Sequence, residues 1–475
     1  MTISQILIFA ALALFLGWLT RKGQRVNLLL AASVLAVFWL QPALSLRYLD
    51  FYLPIFSIGI TALAWALTAT PETRQRAENK TAALIVLALI LLLALTRYLG
   101  IGQILLAARP PALGQVLLLV GIFVLGISLL VRKKETASNA LLWTGFALLL
   151  IFFLILKTPA LSLVASRAWR ALEHQNTALA TAIDIHWLGY SYLAFRLLHT
   201  IRDRQTGRLP DVTLGEYLTY VIFFPAFSAG PIERIERFIK NLRIPAKPFS
   251  DDILIGGQRL FVGLFKKFVV ADFLAMIALN PTSAMQAQNP LGAWVLLYAY
   301  AFQIFFDFSG YTDIAIGLAQ FLGITLPENF KQPYRQPNLT LFWNNWHITL
   351  TQWFRAYFFN PFARSLRRGR KLSPSMMVLV SQLATMTLIG LWHGVTWNFV
   401  FWGLWHGLGL FAQNRWSAWI KPRLTEASQN SRAQRIRSLG GILLTFHFVA
   451  LGWVWFVLPN PALSWAFILK LWGAA

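Results

Sequence analysis

Apolar stretches of about twenty residues recur along this chain, separated by short loops rich in Lys and Arg, and a bundle of membrane-spanning helices is what accommodates that pattern. The runs fall near residues 4–20, 26–42, 51–69, 82–99, 113–131, 140–156, 214–230, 253–280, 291–306, 375–391, 395–413 and 438–458. Only 13% of residues are charged, half of what a soluble domain carries. The expected fold is an all-α polytopic membrane protein with about 11–13 transmembrane helices, plus re-entrant or interfacial helices. The first run ends in Arg21, Lys22 and Arg25 without a small-residue cleavage site, so it reads as a first transmembrane helix and not a signal peptide.

A net charge of +24 would suggest nucleic acid, but the positive residues sit in loops between apolar runs, where they set topology. With basic loops inside and the N-terminus outside, Arg21/Lys22/Arg25, Arg74/Arg76/Lys80, Arg132/Lys133/Lys134 and Arg202/Arg204/Arg208 alternate consistently. The rule breaks after Val221–Gly230, because Arg234, Arg237, Lys240, Arg243 and Lys247 would then lie outside. A re-entrant segment around Pro225 and Gly230-Pro231 repairs it, since irregular backbone at membrane depth survives where protein satisfies it.

No linker resembles a soluble-domain boundary, so 1–475 reads as a single membrane domain. Residues 1–180 look like scaffold helices, 183–414 bring polar residues into the apolar runs, and 415–475 hold a basic loop and closing helices. Intramembrane polar side chains are costly and default to a bundle interior or a cavity. Cysteine is absent, which excludes disulfides, a thiolate nucleophile and Cys-ligated zinc. No His-Glu-x-x-His, no Gly-x-Ser-x-Gly elbow, no P-loop and no dinucleotide fingerprint occurs, so no metal site is expected and nucleotide-driven chemistry is disfavoured.

Of seven histidines, His174 and His199 sit beside charged neighbours and read as solvated interfacial residues, and His447 as a satisfied core residue. His186 leads an aromatic interface belt. His347 lies in Leu341–Arg355, where Trp343, Trp346 and Trp353 fall at helical spacing. That stretch reads either as an amphipathic helix at the membrane surface, or as one that points Asn344, His347 and Arg355 into a reaction cavity.

Gly-Leu-Trp-His-Gly occurs twice, at Gly390–Gly394 and Gly403–Gly407, within a stretch from Leu372 to Asn414 that lacks Lys, Arg, Asp and Glu. Thirteen residues on one helix rotate by about 220° and rise about 20 Å, so one helix cannot bring His393 and His406 to one centre. A turn near Val395–Asn398 would make a hairpin instead, with the Gly-xxx-Gly pairs letting the helices approach. Both a packing role and a chemical role fit these spacings. Asp307 and Asp313, six residues apart around Ser309-Gly310, read as caps of a broken helix, with ion pairing as the other structural role.

Together the motifs resemble the membrane-bound O-acyltransferase family, in its bacterial branch that includes alginate O-acetylase and teichoic-acid D-alanyltransferase. The matching stretches are Leu188-Gly-Tyr-Ser-Tyr-Leu-Ala-Phe, Phe223-Phe-Pro through Ala229-Gly-Pro-Ile232, Phe306-Asp-Phe-Ser-Gly-Tyr-Thr-Asp, Pro327-Glu-Asn-Phe, Phe342-Trp-x-x-Trp-His and Gly390-Leu-Trp-His-Gly with Trp397 and Trp402-Gly. The resemblance implies helices around an intramembrane catalytic tunnel, with His393 as the catalytic histidine and His347 as a second catalytic residue upstream. It leaves Asn344, Trp346, Arg355, Asp307, Trp392 and His406 as binding or supporting residues. Where the branch often has Arg and Asp, this chain has Asn345 and Ala356.

The implied reaction moves an acyl group, acetyl by default, from a cytoplasmic thioester to a hydroxyl of an extracytoplasmic polysaccharide or to a partner acyltransferase. The donor would be acetyl-coenzyme A or an acylated carrier, with no cofactor permanently bound, and the enzyme would sit in the bacterial cytoplasmic membrane. His393 would act as general base, with His347 or Asn344 positioning the acceptor or the carbonyl oxygen. The reading from another class is a carrier or lipid flippase whose His and Asp bind protons or a head group, but no inverted repeat supports it.

Overall fold

The computed structural model describes the chain apart from residues 23, 101–105, 134, 245–248, 370–371, 424–430 and 475. Lys134, Lys247 and Lys371 therefore lie outside the described residues, as does part of the basic stretch Arg415–Arg437. The described secondary structure is helical, and seven helices are long and apolar enough to span a bilayer. The molecule is an all-α polytopic membrane protein. Its contacts divide it into two compact units, Met1–Phe261 with Ile314–Pro327, and Val262–Asp313 with Glu328–Ala475.

The first unit begins with α1 (Ile3–Leu19), α2 (Arg25–Leu40), α3 (Leu49–Thr68), α4 (Glu78–Leu99), α5 (Leu113–Val131) and α6 (Asn139–Lys157). Helix α3 is the centre, and α5 and α6 are peripheral. Leu118 and Leu125 of α5 are 68% and 62% exposed, a surface that hydrocarbon accommodates and water does not. The basic loops gather as the charge rule expects. Arg74 donates to the carbonyls of Leu130, Lys133 and Glu135, so the loops after α3 and α5 share one side.

Further helices of this unit include α7 (Pro159–Leu172), α8 (Tyr190–Gln205), α9 (Leu214–Val221) and α10 (Ile235–Arg243). The apolar run 214–230 is not a spanning helix, because α9 stops at Val221 and a single 3-10 turn follows at Phe224–Ala226. The carbonyls freed by that break are met by Arg196 of α8, 2% exposed, which donates to Tyr220, Val221 and Ala226. Asn79 accepts from the Leu214 amide at the start of α9, and Arg25 donates to the carbonyls of Asn241, Leu242 and Ile244 at the end of α10. Arg243 closes on Glu216. The segment thus begins and ends beside the same basic loops, as a re-entrant excursion requires.

His199 departs from its expected solvated role. It is 1% exposed on α8, and its Nε2 meets the Tyr220 hydroxyl at 3.2 Å, because the face of α8 that carries it packs against the broken segment. His174 and His186 are exposed, and His447 is satisfied on both nitrogens by Tyr298 and the Leu443 carbonyl.

In the second unit α11 (Pro290–Phe321) contributes its turns up to Asp313. It is continuous through Ser309-Gly310, which corrects the expected break there. Gly310 serves close approach instead: a Cβ would lie 2.8 Å from the Gly263 carbonyl and from the Lys267 amide. Asp307 and Asp313 cap no freed amides but pair with Lys267 and Lys266, a compensation that carboxylates at such depth need. The unit continues with α12 (Leu339–Asn345), α13 (Ile348–Phe354), α14 (Pro374–His393), α15 (Trp397–Ile420), α16 (Ser431–Val457) and α17 (Pro461–Leu471).

Candidate active site

Helix α14 starts at a Ser373 cap with Pro374 in its first turn and ends on His393 itself. Gly394–Thr396 turn the chain, and α15 runs back, so the twin pentapeptides form the two arms of a hairpin. Their glycines are the reason the arms can touch. A Cβ on Gly403 would lie 2.5 Å from the Cα of Thr387, and one on Gly407 3.0 Å from that of Leu383. Asn398, just past the turn, is 3% exposed and donates to the Leu458 carbonyl and Ser464 hydroxyl, which pins the tip to the α16–α17 connection.

His393 is half-buried in a ring of aromatic side chains: Trp392 at 4.5 Å, Phe456 at 4.7 Å, and Phe399 and Trp402 at 5.8 Å between centroids. His406 lies elsewhere on the hairpin. It is fully buried against Trp343, Trp402 and Phe448, and neither of its nitrogens has a hydrogen-bond partner among the described residues.

The stretch Leu341–Arg355 is not one helix. It breaks at Trp346-His347, and His347 adopts a left-handed backbone with φ 43° and ψ 54°. Such a conformation costs a non-glycine residue of order 1 kcal/mol and must be held by its surroundings. What holds it is Asn329: the Asn329 carbonyl accepts from the Ile348 amide at 2.9 Å, and its side-chain oxygen meets His347 Nδ1 at 3.1 Å. The imidazole, 2% exposed, has Phe308 edge-on at 4.7 Å and Trp392 at 6.0 Å. One indole therefore contacts both His347 and His393.

The break separates residues that a continuous helix would have aligned. Asn344 accepts a hydrogen bond from Arg355, while His347 turns inward onto Asn329. Arg355 opens a short π-helical segment, Arg355–Phe359, and lines a cleft of about 210 Å³ with Trp343, Gln382, Thr385, Met386 and Ile389. Trp346 is core, packed on Phe330, Phe342 and Trp453. Asp307 is committed to Lys267. Among the described residues no group of three or more His, Asp or Glu gathers as a metal site would require.

Two residues near the histidines carry roles that motif reading left unassigned. Asn329 stands in Pro327-Glu-Asn-Phe, where its complete burial was the missing signal. Phe456 comes from the last long helix, with no local pattern to mark it.

Residues 136–449 match the sequence profile described as MBOAT, membrane-bound O-acyltransferase family. The chain is 31% identical to the teichoic acid D-alanyltransferase of Bacillus subtilis over 62% of its own length and 74% of that protein. It is 31% identical to the probable alginate O-acetylase AlgI of Pseudomonas aeruginosa over 58% of its length and 50% of that protein. With the peptidoglycan O-acetyltransferase of Helicobacter pylori it shares 32% identity over 52% of its length and 44% of that protein. An enzyme of acyl transfer, set in a membrane by its apolar helices, the chain belongs to the membrane-bound O-acyltransferase family.

Proposed function

We propose that this chain transfers an acetyl group from a cytoplasmic thioester to a hydroxyl of an extracytoplasmic polysaccharide, with His393 as general base, in the bacterial inner membrane. The observation that carries this reading is the position of His393 at the end of α14. That helix has 20 residues, about 30 Å, and begins after the basic Arg364, Arg367 and Arg368. A base at that end stands away from the positively charged side and beside the tip of a hairpin, where an external acceptor has access.

The reaction asks little else of the chain. The acceptor oxygen bonds to the thioester carbon, its proton passes to the His393 imidazole, and the carbon–sulfur bond breaks to release the thiolate of the donor. The Arg355 cleft suits a donor that carries phosphate, as coenzyme A or a phosphopantetheinyl carrier does, with an apolar wall of Met386 and Ile389 for the arm. The relatives named for teichoic acid, alginate and peptidoglycan support an envelope polymer as acceptor.

The test is His393→Ala in the native host, read as acetyl groups on envelope glycans by mass spectrometry. Loss of acetylation with the protein still present in the membrane is expected. Unchanged acetylation removes His393 from the mechanism.

A further inference from the structure

Asn329 is completely buried, and its side-chain oxygen is the meeting point of three polar groups: the Thr349 amide at 3.2 Å, the Thr349 hydroxyl at 2.9 Å and His347 Nδ1 at 3.1 Å. A backbone N–H can only donate, so the atom facing Thr349 is the carboxamide oxygen and not its nitrogen. A carboxamide oxygen can only accept. His347 Nδ1 must then carry the proton, and its Nε2 is left with a lone pair.

That Nε2 is buried with no hydrogen-bond partner among the described residues, on a ring 2% exposed. Buried polar atoms in native proteins are nearly always satisfied, and an orphan calls for a ligand or a functional account. The strained backbone of His347 points the same way, since the Asn329 carbonyl and side chain both act to keep this residue in a conformation it would not choose.

We infer that Asn329 is a positioning residue that locks His347 in the Nδ1–H tautomer, so that His347 Nε2 receives a hydrogen donor of the bound acceptor, a hydroxyl of a sugar or polyol. This rests on reading the His347–Trp392–His393 region as the acyl-transfer site. It also excludes the opposite role: a neutral His347 held this way cannot donate to a carbonyl oxygen or an oxyanion. A polyol fits because a hydroxyl other than the reacting one can donate to His347 while the reacting hydroxyl gives its proton to His393. An acceptor with a single hydroxyl satisfies only one of the two imidazoles.

The direct test uses full-length protein labelled with ¹⁵N-histidine in lipid nanodiscs, with His347→Gln identifying the resonances. At pH 7.5 His347 is expected to show a protonated Nδ1 and an unprotonated Nε2, and Asn329→Leu to shift it towards the Nε2–H form. A protonated Nε2 in the unsubstituted protein overturns the inference, whatever the activity.

The second measurement is acetyl transfer from acetyl-coenzyme A to envelope polysaccharide in membrane vesicles. Asn329→Leu is expected to lower kcat about 10²-fold with KM for acetyl-coenzyme A unchanged. Asn329→Asp keeps the acceptor oxygen, so it should recover most of that loss and move the acidic limb of the pH profile upward, as a carboxylate raises the basicity of its imidazole. Equal losses in Asn329→Asp and Asn329→Leu, with unshifted profiles, overturn the positioning role. Transfer that survives His393→Ala defeats the reading of the site instead, and leaves the tautomer result standing.

Discussion

Gly390 lies so close to Phe399 across the hairpin that a Cβ on it would sit 2.1 Å from the Phe399 carbonyl oxygen. The obstacle is backbone, which cannot rotate away. Gly390→Ala should therefore push α14 and α15 apart at the turn that follows His393, at a cost of about 1–3 kcal/mol. Thermal unfolding in detergent measures it, with Gly440→Ala as the control, because nothing lies within 4 Å of a Cβ there. Equal melting temperatures for the two variants would show that the hairpin does not depend on this contact.

The two pentapeptide histidines should separate by kind of defect. His393→Ala is expected to lower acetyl transfer by about 10²–10⁴ while the protein stays folded. His406→Ala empties a fully buried space among Trp343, Trp402 and Phe448, so it should lose about 2–3 kcal/mol of stability with a smaller effect on turnover per folded molecule. The comparison needs kcat and melting temperature on both variants. A similar fall in kcat with unchanged melting for both would refute the distinction.

Arg196→Met leaves the carbonyls of Tyr220, Val221 and Ala226 without their donor, at about 3 kcal/mol or more for buried acceptors. Arg196→Lys should recover only part of this, since an ammonium cannot span three carbonyls as a planar guanidinium does. Limited proteolysis around Phe223–Gly230 reads the outcome directly: cleavage no faster than in the unsubstituted protein would mean the break is held by other contacts.

Asp184 lies in the loop between α7 and α8, outside the spanning helices, and accepts from Ser166, Arg170 and Thr181. Burial alone would raise its pKa, but these donors outweigh it and hold the carboxyl well below the usual range. The sign follows from that depression: the stabilisation is complete above the unfolded value of about 3.9 and is lost as pH falls below it towards the folded value. Melting temperature should drop below about pH 4 in the unsubstituted protein and change less in Asp184→Asn, which starts about 3 kcal/mol lower from the uncompensated Arg170. Parallel pH curves for the two proteins would count against this assignment.

Much of this was legible in the residues because its physics is local. Twenty apolar residues make a spanning helix wherever they occur, basic loops choose a side, and the charge-rule failure after Val221 marked a broken segment without showing what holds it. The hairpin was legible too, since helical rotation kept His393 and His406 apart and the glycines announced close packing. The misreadings came where a polar residue had two local solutions. Ser309-Gly310 could break a helix or admit a neighbour, and the neighbour bearing Lys266 and Lys267 lies some 40 residues upstream.

Spacing assigned Asn344, His347 and Arg355 to one amphipathic helix, and nothing between Leu341 and Arg355 signals the left-handed turn at His347. That turn is favoured by Asn329, 18 positions earlier, whose carbonyl and side chain reward a conformation that local energetics penalise. The sequence by itself determined a helical membrane enzyme and which histidines to weigh. Only the tertiary structure decided that His347 turns inward onto Asn329 while His393 ends its helix at the hairpin turn, because a hydrogen bond between distant residues carries no periodicity for a sequence to display.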